Sequence, residues 1–152
     1  MISVQLIAMD ELENNKIIEI KEKIMKIKLG NILEINNVLK SIIDNTELKI
    51  DALFKFRLLG IMKNLEVPIA NFNVIRDEKI KEYGKELEDE NGNKSIGIDT
   101  NDKDAIAKFS EDINKVIDSE VEVNIDKLKS VDVFDKGLPA DYLVRLYPII
   151  EE

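Results

Sequence analysis

Glu120-Val121-Glu122-Val123-Asn124-Ile125 alternates charged or polar side chains with apolar ones, and the fold class turns on this stretch. A period of two places Val121, Val123 and Ile125 on one side of an extended strand. A strand needs neighbours for its backbone N–H and C=O groups. Two other segments have the right character. Met25-Lys26-Ile27-Lys28-Leu29-Gly30-Asn31 reads as a short strand followed by a helix start, and Glu47–Ile50 is short enough to pair as a strand. A small antiparallel or mixed sheet of about three short strands is therefore expected from Lys26–Leu29, Glu47–Ile50 and Val121–Ile125.

The rest of the chain reads as helix. From Asn31, an N-cap, the positions Ile32, Leu33, Ile35, Val38, Leu39, Ile42 and Ile43 recur at helical spacing up to a stop at Asp44-Asn45. A second helix is expected from about Asp51 to Leu65. Its inward residues are read as Ala52, Leu53, Phe56, Leu59, Met62 and either Leu58 or Leu65. Pro68 ends or kinks it, and helix resumes at Ile69 as far as about Leu87. Asp102 caps a further helix, Lys103 to Asp118, with Ala105, Ile106, Phe109, Ile113, Val116 and Ile117 on one face. After a turn segment at Lys127 to Gly137, Pro139 opens a last helix carrying Leu143, Leu146, Ile149 and Ile150.

Between the second and third helical regions, residues 88–101 contain Asn91-Gly92, a pair suited to the positive φ values of a type I′ turn. Ile96 and Ile98 alternate with small residues there, as in a short strand. The segment reads as a small hairpin or extended tip between two long antiparallel helices, a projecting helical hairpin. The fold class expected is α+β, mainly helical.

Residues 25–152 are read as a single domain, and residues 1–24 as an N-terminal extension. Lys21-Glu22 can be encoded by AAG-GAG, a ribosome-binding sequence two codons upstream of Met25, so that translation begins at Met25. The stretch Glu11 to Ile24 also reads as an amphipathic helix, and both readings stand. At 152 residues the chain can bury a core made chiefly of Ile, Leu and Val, since it has no Trp and only 5% aromatic residues.

The chain has no Cys and no His. Disulfides, thiolate nucleophiles, Cys-based zinc sites and His-dependent triads are excluded. Carboxylate pairs are available anywhere among 31 Asp and Glu residues, but none is marked as buried or paired. No catalytic residue, cofactor or metal site is assigned, and the chain is expected not to be an enzyme. Asp89, Asn91 and Asn93 alternate like calcium ligands, yet Lys94 stands where an EF-hand loop needs Gly. In the register from Asp99, Ser110 stands where the bidentate Glu belongs. Gly92 and Gly97 lack the strand-to-helix setting of a phosphate loop.

The formal charge of −9 is uneven: residues 1–75 carry 10 acidic and 10 basic side chains, and residues 76–152 carry 21 and 12. Phosphate backbones and anionic membranes repel such a surface, so neither nucleic acid nor membrane is an expected partner. No apolar run approaches a membrane span, and the start lacks the basic region of a signal peptide, which gives a cytoplasmic location in the host cell.

The run Glu86, Glu88, Asp89 and Glu90 is the candidate partner-binding surface. Such a run is usually a solvated helix end, and the interleaved Lys79, Lys81 and Lys85 dilute any mimicry of nucleic acid. Phe54, Phe56 and Phe72 with Met62 can line a partner groove, though helical spacing makes them core by default.

The stretch Met25-Lys-Ile-Lys-Leu-Gly-Asn31 and the helix with Phe56-Arg-Leu-Leu-Gly-Ile-Met-Lys-Asn-Leu65 resemble a family of small uncharacterised proteins from phages and prophages of low-GC Gram-positive bacteria. The resemblance extends through Arg76–Gly84, the Asp89–Asn93 turn, the Glu120–Ile125 strand and a closing helix ending in Ile149-Ile-Glu-Glu152. It covers residues 25–152 and implies no active residues. It is silent on mechanism, and the function expected is a non-enzymatic phage or prophage accessory protein acting through protein–protein contacts, with virion assembly and a virion-associated location as one setting. Its partner would be a phage structural protein or a host protein. The alternative is an acidic inhibitor of a host defence or nucleic-acid-binding protein.

Overall fold

The computed structural model describes residues 13–16 and 23–151. Most of the stretch read as an N-terminal extension or amphipathic helix lies outside the described residues. Within it, residues 13–16 are helical.

The alternating segments pair as their chemistry demands. Strand β1 (Ile24–Lys28) runs antiparallel to a strand at Glu120–Asn124, with Met25 opposite Val123 and Ile27 opposite Val121. The same register sets Lys26 against Glu122 and Lys28 against Glu120, so opposite charges face water while Ile27 and Val123 are buried. The Ile125 N–H extends the ladder to the carbonyl of Lys23 at 2.9 Å.

Helix α1 (Leu29–Asp44) follows β1 without a loop. It begins at Leu29, with Lys28 as its uncapped N-cap, instead of at Asn31. The Leu29 N–H donates to the carbonyl of Ser119 at 2.9 Å, so the strand pairing supplies a partner that a capping side chain would otherwise provide. Leu29, Ile32, Ile35, Val38, Leu39 and Ile42 are all buried, and α1 forms the centre of the molecule.

Glu47–Ile50 is not a strand. The Asn45 side chain accepts from the Glu47 N–H at 3.0 Å and the Asn45 carbonyl from Leu48 at 3.3 Å, an Asx turn that commits these backbone groups locally. Helix α2 (Ala52–Tyr83) then runs for 32 residues. Asp51 caps it, accepting from Phe54 N–H at 2.7 Å. It continues through Pro68, whose missing N–H leaves the Asn64 carbonyl without its i+4 donor. Buried Leu65 on one side and buried Phe72 on the other hold both halves to the core.

The face of α2 turned inward also differs from the expected one. Phe54, Leu58, Ile61, Leu65 and Phe72 are buried, whereas Leu53, Phe56 and Leu59 are exposed.

Helix α2 stops at Tyr83, earlier than Leu87, because Lys85-Glu86-Leu87-Glu88 takes a period of two. It forms β2 (Lys85–Glu88), which pairs antiparallel with β3 (Lys94–Gly97). The tip is thus a β-hairpin, and the projecting pair of long helices is instead one long helix, α2, beside a shorter α3 (Lys103–Ile117) of 15 residues. Asp102 caps α3 through the Ala105 N–H at 3.1 Å, as expected.

The strand paired with β1 is β4 (Glu120–Asn124). The chain then forms β5 (Leu128–Lys129), a one-turn α4 (Ser130–Phe134) and α5 (Ala140–Leu146) with Pro139 as its N-cap. Pro148 prevents α5 from reaching Ile150: Tyr147–Ile149 is a 3₁₀ turn, and β6 (Ile150–Glu151) lies parallel to β5. Among the described residues, the expected three-stranded sheet is replaced by three two-stranded ones, within a mainly helical α+β fold. Among the described residues, no helix is long and apolar enough to cross a membrane.

Candidate interaction surface

The acidic run falls on the β2–β3 hairpin, and the hairpin gives its four members different roles. Glu86 and Glu88 are two apart on β2 and share a face, with Leu87 on the other. Glu86 lies 3.6 Å from Lys94 Nζ on β3, an exposed pair. Glu88 and Glu90 are exposed on the outer rim.

Asp89 is structural. One of its carboxylate oxygens accepts from the N–H groups of Asn91, at 2.9 Å, and Asn93, at 2.8 Å. Its own N–H donates to the Asn93 carbonyl at 2.9 Å, and its carbonyl accepts from Gly92 N–H at 3.1 Å. Gly92 sits at φ +81, while Asn91 keeps a negative φ. The turn is therefore not type I′. An unprimed turn is followed by one left-handed glycine, and the Asp89 carboxylate organises it.

The base of the hairpin is tied down by charge. Lys85 pairs with Asp99 at 2.7 Å. At the end of α2, the Tyr83 hydroxyl donates to Asp112 of α3 at 2.6 Å, and Lys79 lies 3.4 Å from the same oxygen. Lys79 also reaches Glu82 at 2.8 Å. At the other end of α2, Lys136 pairs with Asp51 at 2.8 Å and lies over the Phe54 ring, while Arg57 pairs with Asp132 at 3.2 Å.

These contacts hold several carboxyls below the ordinary value of 3.8: Asp51 through Lys136, Asp89 through the Asn93 N–H, Asp99 through Lys85, and Asp112 through the Tyr83 hydroxyl. A group with a depressed folded value contributes stability that is present above the unfolded value and lost as pH falls through the folded one. Unfolding temperature should accordingly hold steady from neutral pH to about 5 and fall progressively below about 4. Asp112→Asn keeps an acceptor for Tyr83 but removes one titration, so it should fall less steeply. Thermal unfolding followed by circular dichroism across that range measures both curves, and parallel curves would show that Asp112 contributes nothing to the slope.

The second feature of the surface is apolar. Leu53, Phe56, Val67 and Val74 lie along the outer side of α2, with exposures of 60, 73, 68 and 56%. At the opposite end of the sequence, Val131, Phe134, Val144 and Tyr147 of α4, α5 and the 3₁₀ turn form another exposed set, with Tyr147 at 72%. Of the aromatic residues considered for a groove, Phe54 and Phe72 are core, and Phe56 alone is free to meet a partner. Neither apolar set is legible as a surface from spacing alone, since an apolar residue at helical spacing is normally buried.

No protein-family model matches the chain, and comparisons with curated proteins and with solved structures return no match.

Proposed function

We propose that the chain is a non-enzymatic interaction protein that works through protein–protein contacts as an accessory component of a phage or prophage. The observation carrying the first part is the pair of apolar sets, on α2 and on α4–α5. Large apolar side chains gathered on one side of a helix, and Phe134, Val144 and Tyr147 lining one groove with Leu143 and Ile150, mark surfaces that a partner covers. The phage setting, with particle assembly as its most concrete form, rests on the resemblance of residues 25–152.

The competing reading, an inhibitor that occupies a basic groove, relies on the acidic hairpin. It draws less support, because Lys94 sits on Glu86 and Asp89 is bound to its own turn, leaving Glu88 and Glu90 as the free acids.

The test is affinity capture from a lysate of the prophage-induced host with the wild-type chain and two variants. Phe134→Ser/Tyr147→Ser should lose a captured capsid or tail protein, whereas Glu86→Gln/Glu88→Gln/Glu90→Gln should retain it. Asp89 is left intact, since removing it would disturb the turn. Loss in the acidic variant alone, with binding that also collapses at high salt, would favour the inhibitor.

A further inference from the structure

The outer side of α2 has a spacing of its own. Leu53, Phe56, Gly60, Lys63, Val67, Ala70 and Val74 follow one another at intervals of three and four, the spacing of a helix seam. All seven are exposed, and they lie opposite the buried face of Phe54, Leu58, Ile61 and Leu65. At 1.5 Å per residue the stripe is roughly 32 Å long. A seam of this length matches a second helix of equal length.

We infer that this stripe is a self-association surface, on which a second copy of the chain lies antiparallel through its own α2. The inference deepens the interaction reading above by naming one partner. Its basis is the complementarity of the stripe with itself when reversed. About a two-fold axis at position 65, Phe56 meets the partner's Val74, and Gly60 meets the partner's Ala70, so a large side chain faces a medium one and the two small ones face each other. Lys63 lies across the partner's Val67, with its ammonium beside the partner's Glu66, and symmetry repeats this ion pair. The outermost layer, Leu53 with the partner's Asp77, falls at the solvent rim.

A parallel arrangement has none of this. It would set Lys63 directly against Lys63 and Gly60 against Gly60, a like-charge layer beside a gap in the seam, with Asp77 against Asp77 at the rim. Lys63 lies near its counterpart in either arrangement, and the antiparallel one adds the partner's Glu66 beside it. A two-fold contact is also closed, so it ends at a dimer instead of propagating.

Sedimentation equilibrium of the full chain, at concentrations up to about 100 μM because a two-helix contact is a small interface, tests this directly. The expected species is twice the 17.4 kDa monomer mass. Val67→Lys, which sets two cations together at each central layer, and Phe56→Ala, which empties both outer layers, should each raise the dissociation constant on the order of 10-fold or more. Both positions are exposed, so circular dichroism should show folding unchanged.

The orientation is tested by cross-linking, made simple by the absence of native cysteine. In the antiparallel dimer, Lys63→Cys places the two thiols roughly 6 Å apart along the axis, and Asp77→Cys places them roughly 36 Å apart. A short bifunctional thiol reagent should link the first and not the second. A monomer at every concentration, or a dimer indifferent to both α2 variants, overturns the inference, and linkage through Asp77→Cys overturns the antiparallel register. A monomeric chain that still captures a phage protein through Phe134 and Tyr147 would sink this inference while leaving the broader reading standing.

Discussion

Leu58→Ala should cost about 3 kcal/mol of folding stability, within the range for truncating a fully buried leucine. Phe56→Ala, which removes a larger side chain two residues earlier, should change stability by less than about 0.5 kcal/mol. The two residues differ in where α2 puts them. Leu58 has no exposed surface, and it is joined in the core by Ile61, Leu65 and the buried row of α1. Its removal leaves a cavity that the neighbouring helix cannot collapse into without losing its own contacts. Phe56 is 73% exposed and loses little by being shortened.

Urea unfolding of both variants at low protein concentration, where association makes no contribution, measures the difference. The Leu58→Ala midpoint should drop with an unchanged slope, and the Phe56→Ala midpoint should stay with the wild type. The reverse ranking would mean that α2 lies on the core through its other face.

That pair of residues also marks where reading the sequence succeeds and where it stops. In α1 the apolar residues are dense and the flanks end cleanly, and in α3 the far side is polar, so periodicity identifies one face and the structure turns it inward, burying most of the α1 row and, in α3, Ala105 and Ile113. Helix α2 has apolar residues on two sides. Leu53, Phe56, Leu59 and Met62 are spaced as regularly as Phe54, Leu58, Ile61 and Leu65, and spacing cannot say which set meets the core. The choice is made by what α1 presents to α2, which is tertiary information.

Local chemistry was readable where a side chain acts on its own backbone. Asp102 caps α3 as expected, and Asp51, near which the second helix is expected to begin, caps α2. The Asn45 turn obeys the same rule, but the apolar Leu48 and Ile50 beside it suggested a strand. At the hairpin tip, Asp89-Glu-Asn-Gly-Asn93 carries the signal of an Asx-type turn, an aspartate two residues before an Asn-Gly pair. That signal separates Asp89 from Glu86, Glu88 and Glu90, which a count of negative charge had grouped together. The Glu120–Ile125 strand found its partner through charge as much as hydrophobicity, since Lys26 and Lys28 can lie opposite Glu122 and Glu120 only in the register observed.

Gly84→Ala should have the second large effect, about 2–3 kcal/mol, as expected for inserting an atom where packing leaves no room. The backbone there, at φ −89 and ψ 175, is one that any residue adopts, so strain in the main chain is not the reason. Contact is. A Cβ on Gly84 would press on the Ile80 carbonyl oxygen and lie 2.7 Å from the carbonyl oxygen of Gly97. Both obstacles are backbone and both are held. The Ile80 carbonyl accepts from the Gly84 N–H at 2.7 Å, and Gly97 is paired with Lys85 in the hairpin. No change of rotamer relieves either one. Gly97→Ala is the informative contrast, because its Cβ would meet only the end of the Leu87 side chain, at 3.0 Å, which can turn aside.

The damage from Gly84→Ala should also be local in a definite way. A two-stranded hairpin is marginal alone and depends on what it packs against. Separating Gly84 from Gly97 opens the hairpin where it leaves the end of α2 and strains the Lys85–Asp99 pair at its base. Amide hydrogen exchange in the variant should therefore rise first over Lys85–Gly97, while the amides around Leu39 and Leu58 stay protected to near the global limit. Protection lost everywhere at once would mean that the hairpin belongs to the same cooperative unit as α1 and α2. Protection retained at Lys85–Gly97 would mean that the close approach at Gly84 is absent. The expected pattern makes the hairpin a separately dissociable module, in which Asp89 shapes the tip and Gly84 allows its seating at the end of α2.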